Sequence, residues 1–74
     1  MESYTVVIKF RYETRKVHVH QHDDHYGVWI SDSDLIKDFG GLITFDNHKK
    51  LRSARKPAAF DSSFFYKAIA DQLR

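Results

Sequence analysis

The sequence predicts an α+β fold, in which a small antiparallel sheet of three to four strands in meander order carries one short helix and one C-terminal amphipathic helix on one face. Apolar and polar residues alternate through the first 30 residues, as in half-buried strands. Near the C-terminus, apolar residues recur instead at helical spacing. A chain of 74 residues is long enough for a single small domain, residues 1–74.

The first two strands are predicted from β-branched and aromatic residues at alternate positions. Residues 4–10 form the first strand, which places on its inner face Tyr4, Val6, Ile8 and Phe10. Residues 15–22 form the second strand, in which Val17 and Val19 point inward. The side chains that are predicted to point outward are Lys16, His18, His20 and His22. The connection near residues 12–14 has no Asn-Gly or Asp-Gly turn signal.

A third strand and a short helix follow. Asp23-Asp24 is typical of a turn, and residues 26–30 continue the inner face with Val28 and Ile30. Ser31 is predicted to cap a helix that carries Asp34 at its third position. The apolar side of this helix consists of Leu35, Ile36 and Phe39.

Gly40-Gly41 ends the short helix, and residues 42–45 form a fourth strand or an extended segment. Residues 46–58 are polar and basic until Pro57. Asp61 or Ser62 then caps a helix over residues 63–73, whose apolar stripe consists of Phe65, Ile69 and Leu73, flanked by Phe64 and Ala68.

Composition excludes several classes of protein. A hydrophobic fraction of 42% is typical of a folded domain, and the absence of cysteine excludes disulfides and thiolate zinc sites. No apolar stretch is long enough to cross a membrane. The first residues lack the basic and apolar regions of a signal peptide, so we expect a cytoplasmic protein.

The net charge of +2 is unevenly distributed along the chain. Residues 1–22 carry four Lys and Arg against two Glu, residues 23–46 carry one Lys against six Asp, and residues 47–74 carry seven Lys and Arg against two Asp. Such segregation predicts either two oppositely charged faces or pairing of the segments within the fold.

Histidines at alternate positions suggest a metal site. A strand would place His18, His20 and His22 on one face, and His25 lies just beyond the turn. Neutral imidazoles bind zinc, and clustered histidines also occur in pH sensors. Lysines and an arginine on the same predicted face oppose a divalent cation, so a solvated outer strand face is the favoured interpretation.

A basic segment suggests binding to a polyanion. Within residues 48–56 the cationic side chains are Lys49, Lys50, Arg52, Arg55 and Lys56. The outer face of the sheet is expected to combine Trp29 with basic groups, namely His18, His20, Lys9 and Arg11. Single-strand binders use these two ingredients, charge for phosphates and rings for bases. The sequence contains neither the RNP1 pattern of RNA-recognition domains nor a helix-turn-helix.

Motifs for catalysis are missing from the sequence. It contains no Gly-x-Ser-x-Gly, P-loop or dinucleotide-binding glycine motif, and Asp38-Phe39-Gly40 is interpreted as a helix end. We therefore expect a non-enzymatic interaction module without a cofactor and without a membrane anchor. Its partner is expected to be another protein or a second copy of the chain, with nucleic acid and metal as the alternatives.

Overall fold

Five antiparallel strands and two helices form in the part of the chain that the structure describes. The computed structural model describes residues 1–54 and 60–74. Its elements are β1 (Glu2–Phe10), β2 (Glu13–Gln21), β3 (His25–Ile30), α1 (Ser33–Phe39), β4 (Leu42–Asp46), β5 (Leu51–Ser53) and α2 (Ser62–Ala70). The strands follow one another across the sheet in the order β1-β2-β3-β4-β5. The predicted α+β class and meander order are confirmed, whereas the predicted number of three to four strands is too low.

A tight turn joins β1 to β2. Phe10 pairs with Glu13, so only Arg11 and Tyr12 lie between the strands, and both have left-handed backbones with φ of 53° and 63°. Two successive positive φ angles characterise the type I′ hairpin turn, whose twist matches that of the flanking strands. The predicted connection at residues 12–14, with a second strand beginning at residue 15, is therefore displaced by about two residues.

Helix α1 is capped by Asp32. The Asp32 side chain accepts hydrogen bonds from the Asp34 and Leu35 amides at 3.0 and 3.4 Å, so the prediction of Ser31 as the cap is wrong by one residue. Gly40 ends the helix with a φ of 83°, and its amide donates to the Ile36 carbonyl. A positive φ favours glycine here, as the sequence predicts.

The turn between β4 and β5 is organised by Asp46. Its Oδ1 accepts hydrogen bonds from the backbone amides of His48 and Lys50, at 2.9 and 3.0 Å. These bonds lower the pKa of the Asp46 carboxyl, the bond from Lys50 contributing most. β5 was not predicted because its three residues are all exposed, which leaves no alternation of buried and exposed positions.

The core lies between the inner face of the sheet and the two helices. Phe10 of β1 contacts the rings of Phe39 and Phe65 at centroid distances of 5.9 and 4.9 Å. Val17, Val19, Val28 and Ile43 are fully buried, as is Ile69 of α2. Helix α2 ends at Ala70 rather than at the predicted residue 73, but Leu73 remains buried in the turn that follows.

Among the residues that the structure describes, one charged side chain is buried, that of Arg15. Only 5% of its surface is exposed. Its guanidinium donates to the Phe10 carbonyl at 3.2 Å and forms ion pairs with Asp32 at 2.9 Å and Glu13 at 2.8 Å. A buried charge without partners would cost several kcal/mol. Arg15 thereby links β2, the end of β1 and the cap of α1.

Candidate functional site

The outer face of the sheet is a regular array of exposed side chains. Alternation along each strand places them opposite the core, and the antiparallel register aligns them in rows. One row runs across four strands through Thr5, His18, Trp29 and Leu42. A second row runs through Ser3, His20, Gly27 and Thr44. Beside them lie Val7, Lys9 and Lys16.

His18 and His20 are held by hydroxyl groups of β1. The Nδ1 atom of His18 lies 3.1 Å from the Thr5 hydroxyl oxygen, and that of His20 lies 3.0 Å from the Ser3 hydroxyl oxygen. The His20 ring also meets Trp29 edge-on, with the ring centroids 6.5 Å apart. These contacts fix the two imidazoles in positions along the sheet and leave Trp29 half exposed, at 49%.

His22 and His25 lie at the end of that array, where His25 begins β3 and pairs with Asp46 of β4. β2 ends at Gln21, and the rings of His22 and His25 stack on each other at the β2–β3 turn with centroids 4.4 Å apart. Asp24 lies 2.7 Å from Nδ1 of His25, and this hydrogen bond lowers the pKa of the Asp24 carboxyl. Across residues 1–54 and 60–74, no three His, Asp or Glu side chains converge as metal ligands.

The basic segment lies at the β5 side of the sheet. Lys49 and Lys50 are exposed in the β4–β5 turn, and Arg52 is exposed within β5. Ser53 pairs with Thr44, which places the end of β5 beside the outer face. Arg55 and Lys56 lie outside the described residues. Part of the basic segment that is predicted to bind a polyanion thus lies next to the face that carries Trp29.

Arg11 does not belong to the outer face, contrary to the prediction. Its Nε and Nη2 atoms each donate to Asp61 at 3.0 Å, and Nη1 donates to Asp38 at 2.6 Å. The guanidinium also lies over the Phe10 and Phe39 rings, 5.1 and 5.3 Å from their centroids. The hydrogen bonds from Arg11 lower the pKa of the Asp61 carboxyl. Arg11 therefore joins the β1–β2 turn to both helices.

Three aromatic side chains around this turn are exposed, and we call Tyr12, Phe60 and Phe64 the aromatic patch. Tyr12 and Phe60 are fully exposed and Phe64 is 69% exposed. They line one shallow cavity of about 540 Å³, together with Lys9, Phe10, Arg11 and Asp61. The sequence analysis did not predict this patch. One signal was present, because Phe64 lies beside the predicted apolar stripe of the helix, where a large apolar side chain is left exposed.

Comparison with models of known protein families, with curated proteins and with solved structures finds no match to this chain. None of the helices in the described part of the chain is long and apolar enough to cross a membrane. The function therefore has to be inferred from the chemistry of the outer face and of the aromatic patch.

Proposed function

We propose that this protein is a small, non-enzymatic interaction module that associates with a second copy of itself through the aromatic patch. The observation that carries the proposal is the exposure of Tyr12, Phe60 and Phe64 around one cavity. Scattered exposed apolar residues are common, but a contiguous cluster of large ones marks an interaction surface. Aromatic residues are also the side chains that contribute most at the centres of interfaces.

Charge supports a second copy as the occupant. The cation that lies beneath the patch, Arg11, is already paired with Asp38 and Asp61. Two copies related by a twofold axis bring the same surface together, and a patch without a strong charge of its own can meet itself without repulsion. Lys9 lies at the rim, where water screens its charge.

The area of the patch supports a weak dimer. An aromatic side chain buries about 150–250 Å² in an interface, so these three present on the order of 500 Å² per copy. Two facing patches would cover about 1,000 Å², and the rim brings this to the lower end of the range of about 1,200–2,000 Å² for specific interfaces. Interfaces at this lower end are often weak and reversible, and we expect a dissociation constant on the order of micromolar.

Sedimentation equilibrium across a range of protein concentrations tests the proposal. Wild-type protein should show a monomer–dimer equilibrium, and Phe64→Ala should raise the dissociation constant at least about tenfold, because a twofold axis removes the ring from both sides. Leu42→Ala is the matched control, since it truncates a half-exposed apolar side chain on the outer face. Protein that stays monomeric at about 1 mM would refute self-association. Even an association free energy of only about −4 kcal/mol would place half of the chains in dimers at that concentration.

A further inference from the structure

The outer face of the sheet is cationic and aromatic over most of its area. It carries Lys9 and Lys16, the two hydroxyl-bound imidazoles of His18 and His20, and the ring of Trp29. In the described strands, the carboxylate on this face is Asp46, at the corner where β4 ends. Its Oδ1 is bonded to two amides of the β4–β5 turn, which directs the charge into that turn. The centre of the face is thus free of acidic groups among the described residues.

Trp29 lies in the middle of this surface. Its strand, β3, is the central strand of the sheet, and its cross-strand neighbours are His18 on β2 and Leu42 on β4. The edge-on contact with His20 orients the indole, and half of its surface remains in contact with water. An oriented and accessible ring of this kind is a platform on which a planar group can stack.

We propose that the outer face binds single-stranded nucleic acid, with a base stacked on Trp29 and phosphates bound by Lys16 and by the lysines of the β4–β5 turn, Lys49 and Lys50. This site is separate from the aromatic patch and does not depend on self-association. Charge complementarity selects an anionic ligand, and the exposed ring selects one with planar groups. None of the described helices protrudes from this face to enter a duplex groove, whereas unpaired bases can lie flat on a sheet.

The hydroxyl and imidazole groups of the two rows support the same ligand. Hydrogen-bond donors for phosphate or base edges are available in two hydroxyl–imidazole pairs, Ser3 with His20 and Thr5 with His18. These donors do not select a particular nucleotide sequence. We therefore expect binding with little sequence preference and with strong dependence on salt, as in other stacking platforms.

The experiment uses the single tryptophan of the chain as a reporter of its own site. A mixed-sequence strand of about 12 nucleotides, within the range of about 4–16 that a single small domain covers, is titrated with full-length protein at about 50 mM salt. Binding should quench Trp29 fluorescence and raise the anisotropy of a labelled strand. Trp29→Leu should weaken the affinity measured by anisotropy by about 5- to 150-fold, the range for loss of one stacked base.

Lysine variants test the phosphate contacts. Lys16→Gln with Lys50→Gln should weaken binding and flatten the slope of log affinity against log salt by about 1.4, or 0.7 for each lost phosphate. Lys37→Gln with Lys67→Gln is the matched control, because it removes two exposed lysines from the helices. Circular dichroism of each variant establishes that the fold is retained.

Several outcomes would overturn the proposal. The first two are absence of binding at about 50 mM salt and an unchanged affinity in Trp29→Leu. A third is a slope of log affinity against log salt that Lys37→Gln with Lys67→Gln changes as much as Lys16→Gln with Lys50→Gln does. Equal affinity for polyglutamate would indicate an acidic protein ligand instead. Loss of binding in Phe64→Ala would also contradict it, because that residue belongs to the aromatic patch. Self-association can fail while binding persists, so the two proposals are tested independently.

Discussion

Arg11 and Tyr12 occupy adjacent left-handed positions in the β1–β2 turn, but their surroundings differ. Arg11 is fixed by Asp38 and Asp61, whereas the Tyr12 side chain is fully exposed. A left-handed backbone costs an L-residue about 1–2 kcal/mol relative to a right-handed one. The contacts of Arg11 offset that cost at one position. At Tyr12 no side-chain contact offsets the cost within the described monomer, and the match between the type I′ turn and the twist of β1 and β2 has to outweigh it.

Tyr12→Gly should therefore separate stability from self-association. Glycine removes the left-handed penalty but loses about 0.5–1 kcal/mol more conformational freedom on folding, so we expect an unchanged free energy of unfolding or a gain of up to about 1.5 kcal/mol. The same substitution should weaken the proposed dimer. Urea denaturation at a concentration where the protein is monomeric measures the first effect, and sedimentation the second. A loss of more than about 0.5 kcal/mol in the monomer would mean that the Tyr12 ring stabilises the fold.

At the scale of elements, helix α2 provides the inner layer beneath β1. Phe65 and Ile69 have no exposed surface, and the Phe65 ring contacts Phe10 on the strand and Phe39 on α1. A helix of nine residues is too short to be stable alone in water. Its stability in the protein must therefore come from burial of this stripe.

Truncation of the stripe should be costly for that reason. Ile69→Ala should lower the free energy of unfolding by about 2–5 kcal/mol, and Ile69→Val, which keeps most of the side chain, by about 0.5–1.5 kcal/mol. Lys67→Ala, at an exposed position of the same helix, should change it by less than about 0.5 kcal/mol. Chemical denaturation monitored by circular dichroism gives all three values. Equal effects of Ile69→Ala and Lys67→Ala would place α2 at the periphery of the fold.

The elements also show which features could be predicted from the sequence. Alternation in β1 and β2 and the stripe of α2 are properties of the chain itself, so their buried faces were predicted correctly. β5 follows the turn that Asp46 anchors through amides two and four residues on, a local turn signal that alternation does not reveal. The β1–β2 turn has no Asn-Gly or Asp-Gly signal and depends on tertiary contacts of Arg11. The outer array of His18, His20 and Trp29 follows from alternation. The aromatic patch does not, because Tyr12 is far in the sequence from Phe60 and Phe64 and only the topology brings it beside them.

At the scale of the whole molecule, the segregated charges of the sequence are partly paired within the fold. Arginines of the first segment bind carboxylates of the other two, since Arg11 contacts Asp38 and Asp61 and Arg15 contacts Asp32. These pairs lie at the ends of the helices, on the side of the sheet that carries the core. The outer face keeps its own cations, which leaves the two sides of the sheet electrostatically different.

The pairing predicts acid sensitivity with a definite sign. Burial raises the pKa of Asp32, but the hydrogen bonds from Arg15 and from the Leu35 and Asp34 amides outweigh it and lower the pKa overall. The pKa of Asp61 is lowered chiefly by the hydrogen bonds from Arg11. An unfolded aspartate has a pKa of about 3.9, so on acidification the unfolded chain takes up protons at a higher pH than the folded one. Stability should thus be full above about pH 5 and fall as the pH drops below about 4.

Asp32→Asn and Asp61→Asn, combined in one protein, test this linkage. Both replacements keep the shape of the side chain, and asparagine is also a good helix cap, so the change removes charge without removing the cap of α1. The variant should be less stable than the wild type at pH 7, and the difference should shrink as the pH falls and the wild-type carboxylates take up protons. Urea midpoints at several pH values between about 2 and 7 measure the difference. A constant difference across that range would show that the ion pairs of Arg11 and Arg15 do not couple folding to protonation.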